Sequence, residues 1–597
     1  MAGITKPGLF GGIQSSSGFE LMEQILRTNN KRRRLNCCNP VAAAFMTGCV
    51  AGIALTASAV QVTYQVDLTA QIALGNFRPG TDTIFVSGTF SSPAWESSAT
   101  DGSTAYLLSP SAGSANLYTG TFNIVNSPGS TESHKFVINP EGDFSDLNWE
   151  SPVSTLGGNR TFKVPGTATN LPVVAFNDQL LPPAAPFIAG ADFSDLSFFE
   201  SRGKVYRHNG QVEDGLAILK SAGLTCVRLR LWTGSDVLVQ TNKAYNYTNN
   251  LTYTLPLAVR VKNAGLQFML DFHYSDTWAD PGKQYTPSAW TNLAFPELVQ
   301  QMRDYNSNSI AAFKAAGAMP DYVQVGNEII GGMLWTNGAV PGADATAQWA
   351  KLGQLMKAAI QGIADAAGTN MPKIVVHIDR GGSWGGTQWF FDNLNAQGVP
   401  YDIIGESYYP WWHGPLSNVA NCLTNAAKRY VKPIIIAETA FPWTNSYWTT
   451  NIYDIPSSTN GQVQFLAALA QIVKSVPCRL GAGIFWWGAE YQKTAGVNSA
   501  GFDTASFFNS SGNVLPIADA FGQLVAPVIL HPGLDGAALN LHWPLSGAGM
   551  ALTTATNLGP AAAWLSVTNN IQNTGTTFTV TLPVDSIQSR FYRLQSN

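Results

Sequence analysis

Two glutamates each end an apolar run of the chain. Glu328 follows "YVQVGN", and Glu438 follows "PIIIA". Paired carboxyl groups can break a glycosidic bond when one donates a proton to the leaving oxygen and the other faces the anomeric carbon. That chemistry requires surroundings that push the two pKa values apart. Either glutamate alone also fits a chain that leaves the core and meets water, because charged residues are mostly exposed.

Two arginines offer a reason for unequal pKa values. Arg228 and Arg230 are two residues apart in "CVRLRLW", so they share one face of a strand. A guanidinium beside one carboxylate would hold it ionised as a nucleophile. A partly desolvated carboxyl group near that negative charge would keep its proton. A purely structural network of glutamate and arginine is the alternative.

Apolar runs that alternate with helical segments must position these residues. Eight such runs occur over about 187–525: "IAGADFS" (188–194), "CVRLRLW" (226–232), "FMLDFHYS" (268–275), "YVQVGNEI" (322–329), "KIVVHID" (373–379), "DIIGESYY" (402–409), "PIIIAETA" (433–440) and "GAGIFWW" (481–487). Eight strand–helix units over this length predict a (β/α)8 TIM barrel. A doubly wound open sheet is the alternative, but it is expected to carry a Gly-rich turn after its first strand, and "GADFSDLS" is not one.

Polar residues inside buried strands need a reason, and here they gather at the carboxyl ends of the runs. The active site of a barrel is expected at that end. The residues concerned are Asp192, Arg228, Arg230, Asp271, His273, Asn327, Glu328, His377, Asp379, Glu406, Tyr408, Glu438, Trp486 and Trp487.

The segments that flank the barrel are predicted to be β-rich. Residues 60–177 show short alternating runs between turns, which is typical of a β-sandwich. Their motifs resemble carbohydrate-binding modules related to starch-binding domains, so Trp95 and Trp149 are either sugar platforms or packing residues. Residues 178–186 are predicted as a Pro-rich linker, and residues 526–597 as a small C-terminal β-domain. The expected fold class is therefore α/β, a TIM barrel between two all-β parts.

Residues 1–59 are predicted to be an N-terminal extension and signal peptide. "KRRRLN" precedes an apolar, Ala-rich run that ends in the small residues "ASA". This pattern predicts a secreted protein, extracellular or periplasmic. A membrane anchor is the alternative, and Met22 could be the true start. After removal of this segment the protein is expected to have no stable membrane insertion.

Composition and missing motifs exclude several function classes. Only 12% of residues are charged, the net charge is −4, and no basic stripe lies outside the N-terminus, which argues against nucleic acid. There is no HExxH and no GxSxG motif, so a zinc hydrolase and an α/β-hydrolase are disfavoured. Without a CxxC pair, buried free thiols are expected, although a disulfide between two of three cysteines stays open. Those three are Cys226, Cys422 and Cys478.

Longer motifs resemble glycoside hydrolase family 53, endo-β-1,4-galactanases that act on type I arabinogalactan within the retaining clan A glycosidases. They are "GADFSDL", "VRLRLW", "LDFHYSDTWADPGKQ", "VQVGNEI…GMLW", "IGESYYPWWHG" and "AETAFPWT". The resemblance implies Glu328 as general acid/base and Glu438 as nucleophile. It also implies that Asn327 bonds the sugar 2-hydroxyl. The other implied substrate-binding residues are Arg228, Arg230, Asp271, His273, Tyr408, Tyr409, Trp278, Trp335, Trp411, Trp412 and Trp487.

Two departures from the family pattern limit what can be transferred. Glu406 stands where an apolar residue is expected, so a third carboxylate lies either near the site or behind it. "FWWGAEY" (485–491) replaces the usual "YWEP". No cofactor is expected. Some bacterial members bind calcium after strand seven, but here that loop has one aspartate and no acidic cluster.

The sequence leaves three hypotheses of function open. The first is a monomeric endo-β-1,4-galactanase whose partner is its polysaccharide. The second is another clan A polysaccharidase, such as a mannanase or xylanase. The third is a non-catalytic glycan-binding protein on the same scaffold.

Overall fold

The computed structural model describes residues 59–91, 94–95, 106–142, 146–241, 249–340, 346–446, 448, 454–559, 562–584 and 589–596. Residues 1–58 of the predicted N-terminal extension and signal peptide, with Cys37, Cys38 and Cys49, lie outside the described residues. Among those that are described, no helix is long and apolar enough to cross a membrane. Within the same ranges the cysteines at 226, 422 and 478 are free thiols, and the first two are buried.

The N-terminal part is β-rich, as predicted. Its elements are β1 (Val60–Asp67), α1 (Thr69–Ala73), β2 (Thr83–Gly88), β3 (Leu107–Pro110), β4 (Leu117–Ile124), β5 (Thr131–Asn139), β6 (Asn148–Trp149), β7 (Arg160–Lys163), β8 (Thr169–Asn170) and β9 (Val174–Ala175). The strand order is β6-β5-β2-β3-β4-β1-β8, with β7 on β5 and β9 on β1. Along β1, buried Val62, Tyr64 and Val66 alternate with less buried residues, because successive side chains of a strand point to opposite faces.

Eight parallel strands close into the predicted barrel. They are β10 (Ile188–Asp192), β13 (Cys226–Leu231), β14 (Gln267–Phe272), β15 (Tyr322–Val325), β18 (Lys373–Ile378), β19 (Ile403–Ser407), β20 (Ile434–Thr439) and β21 (Gly481–Trp486). Each pairs with its neighbours in chain order, and β21 pairs with β10 to close the ring. The (β/α)8 prediction is confirmed, and the open sheet is wrong.

Helices of different lengths follow the barrel strands along the chain. They are α2 (Leu196–Ser201), α3 (Gly215–Ala222), α4 (Asp236–Thr241), α5 (Leu251–Asn263), α6 (Phe295–Ala315), α7 (Thr346–Ala367), α8 (Trp384–Ala396), α9 (Pro410–His413), α10 (Leu416–Tyr430), α11 (Thr459–Lys474) and α12 (Ile517–Gly522). Local sequence sets their ends. Asp214 caps α3 by accepting from the N–H groups of Leu216 and Ala217, and Gly223 ends it with a φ of 110°.

Two short hairpins accompany the barrel strands. The first pairs β11 (Tyr206–His208) with β12 (Gln211–Glu213), and the second pairs β16 (Gly332–Met333) with β17 (Gly338–Ala339). The second hairpin follows β15 directly, so it lies next to the chain segment that carries Glu328.

Alternation along the strands divides the barrel interior into two levels. Towards the amino ends, an apolar cluster fills it: Ile188, Cys226, Met269, Val375, Ile403, Ile435, Ala437 and Phe485. Gly190 belongs to this level, since a Cβ there would lie 2.3 Å from the Phe485 ring. On β10, β13, β14, β18 and β19, polar residues of the carboxyl end come two or four residues further along the same face.

The C-terminal part is a small all-β unit, as predicted. Its strands are β22 (His531–Asp535), β23 (Ala538–Pro544), β24 (Met550–Ala555), β25 (Leu565–Ser566), β26 (Gln572–Asn573), β27 (Thr577–Pro583) and β28 (Phe591–Ser596). They form a four-stranded sheet, β22-β23-β27-β26, and a three-stranded sheet, β25-β24-β28. Buried Leu541, Trp543 and Phe578 join the same apolar core as the barrel helices.

The N-terminal part also packs against the barrel. Ala70 and Leu74 contribute to the barrel's apolar core. The amide of Asn76 donates to the Lys428 carbonyl at 2.9 Å, and that of Gln179 donates to the Arg429 carbonyl at 2.7 Å. These carbonyls belong to the last turn of α10, where helical partners are missing. The exact domain boundaries stay predictions.

Candidate active site

Arg228 lies at the centre of the polar layer inside the barrel. It is fully buried, and its guanidinium forms ion pairs with Asp271 at 2.8 Å, Glu438 at 2.9 Å and Asp192 at 3.2 Å. It also donates to the Asn327 side-chain oxygen at 2.8 Å. A buried guanidinium needs such compensation, because an unpaired charge away from water is costly. Four strands are therefore joined through one side chain.

Arg230 extends this network towards the tryptophans. It pairs with Asp192 at 3.0 Å and with Asp195 at 2.8 Å. Its guanidinium carbon lies 4.3 Å from the Trp278 ring centroid and 4.7 Å from that of Trp487. At these distances the cation is attracted by both ring faces. Arg230 thus fixes two aromatic walls of the cleft.

Glu438 reaches the barrel interior through an irregularity of β20. The register of β20 against β21 shifts between Ile436 and Thr439, and a bulge of this kind re-aims a side chain. One oxygen of Glu438 faces Arg228, and the other accepts from the Tyr409 hydroxyl at 3.0 Å. Burial raises the pKa of Glu438 to about 7, with Arg228 opposing that rise.

Glu328 lies on the next turn of chain after β15. Gly326 and Glu328 both have positive φ, 88° and 49°, so the backbone turns sharply and the carboxyl group enters the cleft. Its Oε1 accepts from the Ser407 hydroxyl at 2.6 Å. Burial raises the pKa of Glu328 well above its ordinary value, and the charge of Glu438 raises it further. Arg228 offsets the burial of Glu438, so Glu328 is the carboxyl group that retains its proton.

Asn327 and His273 are held in single orientations. The Asn327 amide donates to the Ala279 carbonyl at 2.9 Å, so its oxygen faces Arg228. His273 accepts at Nδ1 from the Ala279 N–H, which leaves Nε2 to donate to Asp271 at 3.0 Å. Burial lowers the pKa of His273, so the ring is neutral.

A cleft of about 360 Å³ opens over this layer. Its walls combine aromatic faces with carboxyl and amide groups, as expected for a site that binds sugar rings. The lining residues are Trp278, Ala279, Asp280, Lys283, Asn327, Glu328, Tyr409, Trp412, Glu438, Trp487, Tyr491, Asn498, Ser499, Ala500 and Phe502.

The structure brings most of the predicted site residues together. Asn327, Glu328, Tyr409, Glu438, Trp278, Trp412 and Trp487 line the cleft, while Arg228, Arg230, Asp271 and His273 lie in the buried layer beneath. The remaining three predicted residues have other contacts and do not line the cleft. Tyr408 donates its hydroxyl to the Gly414 carbonyl, Trp335 donates its indole N–H to the Gly331 carbonyl, and Trp411 stacks on Trp448.

The structure places Glu406 behind the site. Its side chain points outward from β19 and accepts from the Thr387 hydroxyl at 2.8 Å and the Arg380 N–H at 3.0 Å. Burial raises the pKa of Glu406 to about 8. Glu406 and Ser407 are neighbours on one strand, so only Ser407 faces the interior.

Several residues of the site were missed by the sequence. Gln324, Ser407 and Tyr491 are buried within it, and Asp280 and Lys283 form an ion pair at its edge. The alternation of side chains along a strand would have identified two of them, because Gln324 and Ser407 lie on the interior faces of β15 and β19. Tyr491 had no such signal, since it lies after β21.

Among the described ranges, no group of three or more His, Cys, Asp or Glu side chains could hold a metal ion. The predicted loop after strand seven is only partly described, so its lack of an acidic cluster is a property of the sequence.

Comparison with known proteins identifies the scaffold. The model of glycosyl hydrolase family 53 matches residues 188–521. An uncharacterised protein from the bgaB 5′ region of Niallia circulans is 42% identical over 314 residues, covering 50% of this chain and 83% of that one. Arabinogalactan endo-beta-1,4-galactanase from Thermothelomyces thermophilus is 33% identical over 347 residues, covering 56% and 98%. The solved GH53 catalytic domain of Ignisphaera aggregans has a TM-score of 0.51 and 32% identity, covering 57% and 98%. The chain belongs to glycosyl hydrolase family 53 and is a glycoside hydrolase.

Proposed function

We propose that this protein is an endo-acting glycosidase that cleaves β-1,4-galactosidic bonds in type I arabinogalactan with retention of configuration. The observation that carries the proposal is the pair Glu328 and Glu438 in one cleft, with Arg228 against only one of them. Relatives named arabinogalactan endo-beta-1,4-galactanase support the choice of substrate.

In the first step of the proposed reaction, a carboxylate oxygen of Glu438 attacks the anomeric carbon and forms a glycosyl ester. Glu328 transfers its proton to the departing 4-oxygen of the next sugar. In the second step, Glu328 takes a proton from water, and the resulting hydroxide oxygen replaces Glu438 at the anomeric carbon. Two inversions leave the configuration unchanged.

The buried layer would support both steps. Asn327, anchored by Arg228 and the Ala279 carbonyl, would hydrogen-bond the 2-hydroxyl of the sugar under attack. Tyr409 would orient Glu438. Trp278, Trp412 and Trp487 would stack against sugar rings, because their faces line the cleft. The reaction needs no cofactor.

The remaining parts of the chain are proposed to serve the enzyme outside the cell. Residues 1–59 would direct export, residues 60–177 would act as a carbohydrate-binding module, and residues 178–186 would connect it to the catalytic domain at 187–525. Residues 526–597 would form a small C-terminal β-domain. The protein is proposed to act as a monomer.

A substrate panel tests the proposal. The protein is incubated with debranched pectic galactan, mannan and xylan, and the products are separated by size. Galacto-oligosaccharides from galactan alone are expected. Hydrolysis of mannan or xylan in preference to galactan would favour another clan A polysaccharidase, and binding of galactan without hydrolysis would favour a glycan-binding protein.

A further inference from the structure

Three buried side chains behind Glu328 have no role in the reaction as proposed so far. Gln324 on β15, His377 on β18 and Ser407 on β19 are each fully buried and lie on the interior face of their strands. They form a continuous chain of hydrogen bonds. Ser407 Oγ is 2.6 Å from Oε1 of Glu328, His377 Nε2 is 2.9 Å from Ser407 Oγ, and Gln324 Nε2 is 3.1 Å from His377 Nδ1.

Arg228 determines which atoms donate and which accept at the far end of these hydrogen bonds. The guanidinium can only donate, so the Gln324 oxygen must accept from Arg228 Nε at 3.1 Å. The Gln324 nitrogen therefore faces the Asp271 carboxylate with one hydrogen, and its other hydrogen lies among His377 Nδ1, the Gly326 carbonyl and the Asn327 oxygen. The Asn327 oxygen is also 3.1 Å from Nδ1, but its two lone pairs face two other donors, Arg228 at 2.8 Å and the Gln324 nitrogen at 3.2 Å. His377 Nδ1 is accordingly an acceptor.

The donor and acceptor roles of His377 and Ser407 follow, and they make Glu328 an acceptor. Burial and the charge of Arg228 keep His377 neutral by lowering its pKa. A neutral imidazole that accepts at Nδ1 carries its proton at Nε2, and this N–H donates to Ser407. The Ser407 hydroxyl then has its own hydrogen free to donate, and the acceptor in reach is Oε1 of Glu328.

We infer that Gln324, His377 and Ser407 are positioning residues that keep Oε1 of Glu328 an acceptor, so that the acid proton resides on Oε2 for the leaving oxygen. The inference rests on the proposed function, in which Glu328 is the general acid/base. The same hydrogen bond stabilises the carboxylate that forms when the proton has been transferred, because Ser407 donates to the charged form. Without it, the proton is free to occupy either oxygen.

Other charged and titratable groups also surround Glu328, and the Ser407 variants share them with wild type. They come from every neighbouring segment: Glu438 from β20, Asp379 after β18, Asp280 and Lys283 after β14, and Tyr409 after β19. A change in the pH profile of a Ser407 variant is therefore attributable to the lost hydroxyl.

The test compares Ser407→Ala with wild type in kcat/KM against pH, on galactan and on 2,4-dinitrophenyl β-galactobioside. Loss of the donor raises the pKa of Glu328, so the basic limb for galactan is expected to move up by about one pH unit. Activity on galactan is expected to fall about tenfold, and activity on the dinitrophenyl substrate much less, since that leaving group needs no proton. Ser407→Thr keeps the hydroxyl and should restore the wild-type limb.

Thr387→Val is the matched control, because it removes a buried hydroxyl that donates to the carboxyl group of Glu406, outside the barrel wall. Its basic limb should coincide with that of wild type. If the basic limb of kcat/KM in Ser407→Ala coincides with that of wild type, and activity falls equally on both substrates, the inference is wrong. If Ser407→Ala does not fold, Ser407→Cys, which offers only a weak donor, is measured with the same two outcomes. A wild type without galactan hydrolysis would refute the proposed function instead.

Discussion

Glu328 and Glu438 carry the same side chain in different surroundings. Glu438 faces Arg228 at 2.9 Å and accepts from Tyr409, whereas the hydrogen-bonding neighbour of Glu328 is the neutral Ser407. An arginine stabilises the charged form of a carboxyl group much more than a hydroxyl does. The two residues are therefore expected to respond differently to removal.

Azide rescue distinguishes the two roles. Glu438→Ala is expected to lose turnover, while Arg228 keeps Asp192 and Asp271 as partners and the barrel stays folded. With an activated aryl galactobioside, azide entering the vacated space should attack directly and give the α-galactosyl azide. In Glu328→Ala, azide should attack the glycosyl ester and give the β-galactosyl azide. Proton NMR of the products reads the configuration; one azide anomer from both variants would contradict the assignment.

Tyr409 is expected to tune the acid limb of the pH profile. Its hydroxyl donates to Glu438 at 3.0 Å, which lowers the pKa of that carboxyl group against the rise to about 7 that burial causes. Glu438 must be ionised to attack, so activity falls as it gains a proton. Tyr409→Phe should shift the acid limb of kcat/KM upward by about 0.5–1 pH unit.

Tyr408→Phe is the control for this shift. Its hydroxyl donates to the Gly414 carbonyl, away from Glu438. An acid limb that moves equally in both variants would rule out the specific bond between Tyr409 and Glu438.

The strands of the barrel were predictable because each is an apolar run bounded by polar or turn-forming residues. Their polar ends were also predictable, since parallel strands of a barrel bring their carboxyl ends to one face. Which of two neighbouring residues faces the site was not predictable. Tyr409 rather than Tyr408 reaches Glu438, because β19 ends at Ser407 and the chain leaves the strand there. The bulge that aims Glu438 inward leaves no trace in the letters "IIIAET".

The buried carboxyl group of Glu406, on the outer face of β19, makes the stability of the protein depend on pH. Burial raises its pKa to about 8 from an ordinary value of 4.5. The folded state holds this proton more tightly than the unfolded state. The resulting stability is complete below pH 4.5 and is lost as the pH rises through 8. Glu406→Gln mimics the protonated group, so its stability relative to wild type should grow by about 2–4 kcal/mol between pH 5 and pH 8.5.

Urea unfolding at several pH values measures this difference. Glu213→Gln, on the exposed strand β12, is the control and should follow wild type at each pH. If the gap between Glu406→Gln and wild type does not change with pH, Glu406 does not carry a buried proton.

At the scale of the molecule, the described N-terminal part packs against the barrel, which the Pro-rich segment 178–186 did not suggest. Asn76 and Gln179 donate to two carbonyls at the end of α10, and Ala70 and Leu74 enter the barrel's core. The sequence could not predict these contacts, because they join residues about 350 and 250 positions apart. The flanking N-terminal part is therefore expected to stabilise the barrel, besides its proposed role as a binding module.

Asn76→Ala combined with Gln179→Ala is expected to loosen the end of α10. Two helix carbonyls would lose their donors, at a cost of about 1–3 kcal/mol. Hydrogen exchange followed by mass spectrometry should show faster exchange in α10 peptides. Gln65→Ala removes a comparable bond within the N-terminal part, to the Leu171 carbonyl, and should leave α10 unchanged. Identical exchange of α10 in both variants would contradict a stabilising contact.

The most direct test of the central claim is the rate of galactan hydrolysis by wild type and by Glu328→Gln, measured as new reducing ends. The amide keeps the size of the side chain and can accept from Ser407, but it cannot donate an acid proton to the leaving oxygen. Wild type is expected to release galacto-oligosaccharides, and Glu328→Gln to be slower by at least about 100-fold with an unchanged fold. Equal rates for the two proteins would contradict the account.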